Sequence, residues 1–132
     1  MSQTPVAAPV AVVILAAGLG TRMKSGRPKV LHEVCGRPML SYVVDAAFAL
    51  APETVVVVTG AEHHEIEALL PAGCRRAVQQ EPRGTGDAVR AGMQHLEGFA
   101  GDVVVLVGDA PLVDGVFLQG LLEAHRERAA AV

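Results

Sequence analysis

The segment Val10-Ala-Val-Val-Ile-Leu-Ala-Ala-Gly-Leu-Gly-Thr-Arg-Met23 passes from an unbroken apolar run into glycines and then into basic residues. The run Val10–Leu15 is rich in β-branched residues and too short for a helix packed on its own, so it reads as a strand covered on both faces. Extended to Ala17 it is still far short of the ~20 residues that span a membrane. A buried strand is expected in preference to the apolar region of a secretory leader, because no Lys or Arg precedes the run and Pro5 and Pro9 interrupt the approach to it.

Working outward, three more valine-rich runs follow, at Thr54–Thr59, Arg75–Val78 and Asp102–Val107. All but the Arg75–Val78 run are continuously hydrophobic, the pattern of a parallel sheet with helices on both faces. Helical patterns separate them. Met39–Leu50 opens beside Pro38 and stops before Pro52, Ala61–Leu70 stops at Pro71, and Thr85–Leu96 is the third. Asp114 is placed to cap a fourth running to about Arg128. The alternation predicts an α/β fold, a Rossmann-like open and mainly parallel sheet with right-handed crossovers.

With 132 residues, 51% hydrophobic and 19% charged, the chain is expected to form one domain, residues 1–132, and not a disordered segment. The net charge of −3 supplies no field for nucleic acid. Cys35 and Cys74 lack zinc or redox spacing and read as free thiols of a cytoplasmic protein. The helix Gly115–Arg128 pattern runs into Ala129-Ala-Ala-Val132 with no closing strand. The expectation is therefore a domain incomplete at its C-terminal end, with an apolar edge beside Val103–Val107 that invites self-association.

Three loops carry the chemistry. In the first, glycines after a buried strand let backbone N–H groups approach an anion. Arg22, Lys24, Arg27 and Lys29 follow within eight residues, and no acid occurs before Glu33. The first 32 residues thus carry +4 and the rest −7, which suits a polyphosphate better than a plain solvated loop. A Walker A loop is excluded, since the chain contains no Gly-Lys pair. A dinucleotide fingerprint fits poorly, since Met23 stands where its third glycine belongs.

The second loop is Gly108-Asp109-Ala-Pro-Leu112, which places a carboxylate at a strand's C-terminal end. Asp is a hard oxygen ligand suited to Mg²⁺ shared with phosphates, although a turn Asp bonding its own backbone is common. If this strand lies beside the first, the two loops meet at the point where the crossovers reverse. The third loop, Gln79-Gln-Glu-Pro-Arg-Gly-Thr-Gly-Asp-Ala88, enters a helix. Gly84 permits close approach, Thr85 is a candidate cap, and Gln79 offers a donor and an acceptor to a base edge. The pair His63-His64 with Glu67 has ligand-like spacing but lacks a third ligand.

Leu15-Ala-Ala-Gly-Leu-Gly-Thr-Arg-Met23, Pro28-Lys-Val-Leu-His32, Gly36-Arg-Pro-Met39, Gly84-Thr-Gly86 and Gly108-Asp109 occur in this order over residues 10–125. Together they resemble the uridylyltransferase domain of the bacterial bifunctional N-acetylglucosamine-1-phosphate uridyltransferase/glucosamine-1-phosphate acetyltransferases. The first motif belongs to the wider nucleotide-sugar pyrophosphorylase (MobA-like NTP transferase) superfamily, which also includes cytidylyl- and guanylyltransferases.

The resemblance implies the nucleotide-diphospho-sugar transferase fold, N-terminal part only. It implies synthesis of UDP-N-acetylglucosamine and pyrophosphate from UTP and N-acetylglucosamine 1-phosphate, with Mg²⁺ as cofactor and no nucleic-acid or membrane partner. It assigns Leu15, Ala16, Ala17, Gly18, Gly20, Thr21, Gln79, Gly84, Thr85 and Gly108 to the nucleotide. Arg22 and Lys29 go to the phosphates as the catalytic cations, and Asp109 to the metal. The family's acceptor-sugar positions and second metal ligand are expected beyond residue 132.

Overall fold

A computed structural model of the chain describes residues 8–17, 29–61, 64–81, 84–110 and 112–128. Four parallel strands form the central sheet: β1 (Val10–Leu15), β4 (Thr54–Gly60), β5 (Cys74–Gln79) and β6 (Asp102–Val107), in the order β5-β4-β1-β6. The sheet carries helices α1 (Met39–Phe48), α2 (His64–Glu67), α3 (Thr85–Met93) and α4 (Gly115–Arg128). A two-stranded antiparallel ribbon, β2 (Glu33–Val34) and β3 (Arg37–Pro38), precedes α1.

The strand pattern explains the sheet's depth. Val10, Val12 and Ile14 of β1 and Val55 and Val57 of β4 pack with α1, α2 and α4 residues such as Val43, Ile66 and Leu118. The alternate side chains, Ala11, Val13, Val56 and Val58, pack with Ala77 and with Ala88 of α3. Both central strands are therefore buried on both faces, each large side chain contributing about 1.5–3 kcal/mol over leaving it in water. Thr59, the buried polar residue next to the end of β4, accepts from Arg76 Nε at 2.7 Å, so its hydroxyl is satisfied.

Strand β6 departs from the expectation that every continuous apolar run is covered twice. Helix α3 packs on β1, β4 and β5. On the α3 side of β6, Val105 and Val107 remain 44% and 49% exposed, while Val104 and Leu106 pack against the opposite core. Other differences are local. Helix α1 stops at Phe48, the Thr85–Leu96 pattern ends in a 3-10 turn from Gln94, and α2 is a single turn inside Ala61–Leu70. Asp114 caps α4 as expected, its Oδ1 accepting from Phe117 N–H at 2.8 Å.

The ribbon was not foreseen. Its two-residue turn is Cys35-Gly36, both at positive φ (53° and 82°), the geometry that a tight hairpin requires and that Gly adopts without strain. Tyr42 of α1 donates to Val34 O, and Arg37 lies 4.8 Å over the Tyr42 ring while pairing with Asp45 at 2.7 Å. Both cysteines are free thiols. Among the described residues no helix is long and apolar enough to cross a membrane.

At the far end of β6, Asp102 Oδ2 accepts from Arg126 Nε at 2.8 Å, and His125 Nε2 lies 3.3 Å from Oδ1. Arg126 also donates to Ala8 O, tying α4 to the segment before β1. The Arg126 hydrogen bond holds the Asp102 carboxyl below its ordinary pKa, against a smaller opposing effect of burial. Because the folded value is the lower one, this tie stabilises fully above the unfolded carboxylate range near pH ~4 and is lost as pH falls through the depressed value. Asp102→Asn should flatten the acid limb of a urea-stability profile relative to the unmodified chain. Parallel profiles would show that the tie contributes nothing.

Candidate functional site

The reversal of strand order falls between β1 and β6, since the chain leaves β1 for β4 on one side and reaches β6 on the other. Loops leaving the two strands diverge there, and in open α/β sheets ligands bind in such a crevice beyond the strands' C-terminal ends. A cleft of about 200 Å³ lies at this position, lined by Leu15, Ala17, Lys29, Val30, Gln79, Gly84, Thr85, Ala88, Val107 and Asp109. The uncovered face of β6 thus has a local consequence: Val107 forms an apolar wall of the cleft.

Seven of the residues singled out in the sequence meet here: Leu15, Ala17, Lys29, Gln79, Gly84, Thr85 and Asp109. Two others lie beneath the surface. The Ala16 N–H donates to Val58 O at 2.8 Å and the Gly108 N–H to Leu15 O at 2.8 Å, so neither amide is left for a ligand. Gly108 is nonetheless closely packed, because a Cβ there would stand 3.1 Å from both Leu15 O and Val30 Cγ1 and these neighbours would have to give by a few tenths of an ångström. Gly18, Gly20, Thr21 and Arg22 lie outside the described residues, as do Lys24 and Arg27.

Lys29 opens a 3-10 turn, Lys29–Leu31, anchored by the buried Val30 and Leu31. Its Nζ lies 3.1 Å from Asp109 Oδ2, with the two side chains 44% and 35% exposed. A pair this open to water is worth only about 0–1 kcal/mol, so an anion or a cation arriving in the cleft can take either partner. No three His, Cys, Asp or Glu side chains converge among the described residues. Asp109 supplies one carboxylate, a donor set that fits Mg²⁺ held largely by waters and phosphate oxygens, not a metal caged by protein.

Thr85, expected as the cap of α3, is instead its first residue. The cap position is Gly84 (φ 104°, ψ 173°), with no side-chain cap, and its carbonyl accepts from Ala88 N–H at 3.1 Å. Gln79, at the end of β5, projects to the α3 side of the sheet. Its Nε2 donates to Gly84 O at 3.3 Å and to Asp87 Oδ2 at 3.1 Å. Its Oε1 is the buried side-chain polar atom that, among the described residues, has no partner. An unmet buried acceptor costs about 1–3 kcal/mol, which a ligand donor would recover. Val30, Ala88, Val107 and the Gln79 partner Asp87 were missed as site residues. The loop containing Asp87 was recognised, but the contact depends on side-chain geometry.

Known proteins similar to this chain agree with the fold. The MobA-like NTP transferase domain profile matches residues 12–132. Proteins named "Bifunctional protein GlmU" are similar in sequence. The Sorangium cellulosum one is 52% identical over 113 residues, 80% of this chain and 24% of that protein. The Rubrobacter xylanophilus one is 46% identical over 126 residues, 96% of this chain and 27% of that protein. The chain spans about a quarter of the length of these relatives.

Among solved structures, Rv0371c from Mycobacterium tuberculosis H37Rv superposes with a TM-score of 0.77 at 22% identity, covering 92% of this chain and 63% of that one. That protein has also been solved in complex with manganese. A UDP-glucose pyrophosphorylase from Acinetobacter baumanii superposes with a TM-score of 0.76 at 23% identity, covering 92% and 54% of the two chains.

The two glycines of the third loop should separate experimentally. A Cβ at Gly84 meets nothing within 4 Å, so Gly84→Ala is penalised only by its positive φ, about 1–3 kcal/mol. Gly86 lies within α3 with equally open space, so Gly86→Ala should be neutral or stabilising by up to ~1 kcal/mol. Urea denaturation of both variants checks the pair, and equal effects would contradict the assigned backbone.

Proposed function

The chain belongs to the MobA-like NTP transferase family, and from that premise we propose that it is a uridylyltransferase domain. The reaction joins UTP to N-acetylglucosamine 1-phosphate, giving UDP-N-acetylglucosamine and pyrophosphate. A phosphate oxygen of the sugar 1-phosphate attacks the α-phosphorus of UTP, and the bond to the β-phosphate oxygen breaks to release pyrophosphate. The nucleophile is already anionic at neutral pH, so no general base is needed.

The observation that carries this reading is the unpartnered Gln79 Oε1. The amide nitrogen donates to Gly84 O and Asp87, which leaves the buried oxygen as the end of the amide with no protein partner. Uracil N3–H can donate to it, and so can guanine N1–H. Facing the same ring position, cytosine N3 and adenine N1 present lone pairs and are repelled. The discrimination thus requires the oxygen to meet the ring nitrogen and not the neighbouring amino group, which is a donor in both. The similarity to the GlmU-named relatives favours uracil over guanine.

Lys29 is placed to bind phosphate oxygens, and Arg22 is assigned the same role on the resemblance alone. Asp109 would hold Mg²⁺, which when bound supplies neutralisation of the developing phosphate charge. Triphosphate oxygens draw Lys29 away from Asp109, so the two halves of the ion pair pass to opposite charges of the same metal–nucleotide ligand. In-line alignment and this electrostatic term are what phosphoryl-group chemistry asks of a protein.

A thermal-shift series with Mg²⁺ and UTP, CTP, GTP or ATP tests the reading. UTP should raise the melting temperature most, and Asp109→Asn should lose the Mg²⁺-dependent part of that rise while melting normally alone. Preference for CTP or ATP would overturn the role of Gln79, preference for GTP would change the base, and a flat response to all four would remove nucleotide binding.

A further inference from the structure

Resting on the nucleotide reading above, we infer that Asp87 is a specificity-determining positioning residue: it fixes which end of the Gln79 carboxamide meets the base. A glutamine amide presents an acceptor or, turned by 180°, two donors, and by itself it discriminates weakly between uracil and cytosine. Here the choice is removed. Gly84 O and Asp87 Oδ2 can only accept, and both lie on the same end of the amide, at 3.3 and 3.1 Å. The nitrogen must face them.

Turning the amide would set its oxygen against a carbonyl and a carboxylate at a residue that is only 4% exposed. The carboxylate is the stronger of the two acceptors, because a hydrogen bond to a charged group is worth more than one between neutral groups. Asp87 sits in the first turn of α3, on the same element as the cleft residues Thr85 and Ala88, so its place relative to Gln79 is set by a helix. Asp87 itself does not line the cleft. It acts through Gln79, as the half-buried carboxylate that sets the orientation of a buried amide.

The experiment is calorimetric titration of the full chain with UTP and with CTP, each with Mg²⁺, for the unmodified protein, Asp87→Ala and Asp87→Asn. Removing the carboxylate leaves Gly84 O as the sole restraint, so Asp87→Ala should lower the UTP-over-CTP preference by about tenfold. UTP should weaken and CTP hold or strengthen. Asp87→Asn keeps an accepting oxygen and should retain most of the preference, which a loss of general loop structure would not allow. Melting curves without nucleotide check that each variant is folded, and if Asp87→Ala fails that check, Asp87→Ser takes its place.

Equal weakening of UTP and CTP in Asp87→Ala, or an unchanged ratio, overturns the inference while leaving the nucleotide reading intact. An unmodified chain that holds UTP and CTP equally overturns the uracil preference and this inference with it, and one that binds neither overturns the nucleotide reading itself.

Discussion

Strand β1 is hydrogen-bonded in parallel on both sides, to β4 through Ala11–Leu15 and to β6 through its whole length. That single constraint organises the rest. A strand paired on both edges and packed on both faces has to be continuously apolar, and its successors must be reached by crossovers in opposite directions. The chain therefore opens a crevice where β1 and β6 end. Side chains at those ends, and at the end of β5, line that crevice. Gln79 and Asp109 are both residues of this kind.

The crevice joins two kinds of polar device. Lys29 and Asp109 form a solvent-exposed pair at 3.1 Å, weak enough to be exchanged for a charged ligand. Gln79 is the opposite case: buried, held through its amide nitrogen, and left with an oxygen that has no protein partner. In the proposed reading the exposed pair would supply affinity for charge and give way readily, and the buried amide would supply discrimination. A nucleotide would set its phosphates at the first and its base edge at the second.

Much of this was legible in the chain. The bounds of β1 and β6 agree with the sequence because β-branched runs are closed by Pro9 at one end of the first and by Gly101 and Gly108 around the other. The turn of α2 was overestimated because Ile66 is its one fully buried apolar residue, while Leu69 is 44% exposed. Short helices persist only where tertiary packing holds them. The ribbon escaped because two-residue strands carry no periodicity, although Cys35-Gly36 signals its turn. An uncovered apolar flank at Val103–Val107 was expected from the chain, but a run of valines does not report which of its faces a helix leaves bare, so the place of Val107 in the cleft was not legible. Strand-end logic pointed to Asp109, and Gln79 reads in the sequence as the start of a loop although it closes β5. The hold of Asp87 on Gln79 depends on a side-chain contact eight residues apart in sequence, which no local pattern reports.

The central claim is that a ring N–H of the bound base reaches the unpartnered oxygen of Gln79. The most direct measurement is the proton NMR signal of the uracil imino group in ¹⁵N-labelled UTP bound to the chain with Mg²⁺. The account predicts a downfield imino resonance protected from exchange with water, with nuclear Overhauser contacts to the Gln79 side chain, and its disappearance in Gln79→Ala. An imino proton that exchanges freely in the saturated complex, or that is equally protected without the Gln79 amide, would contradict it.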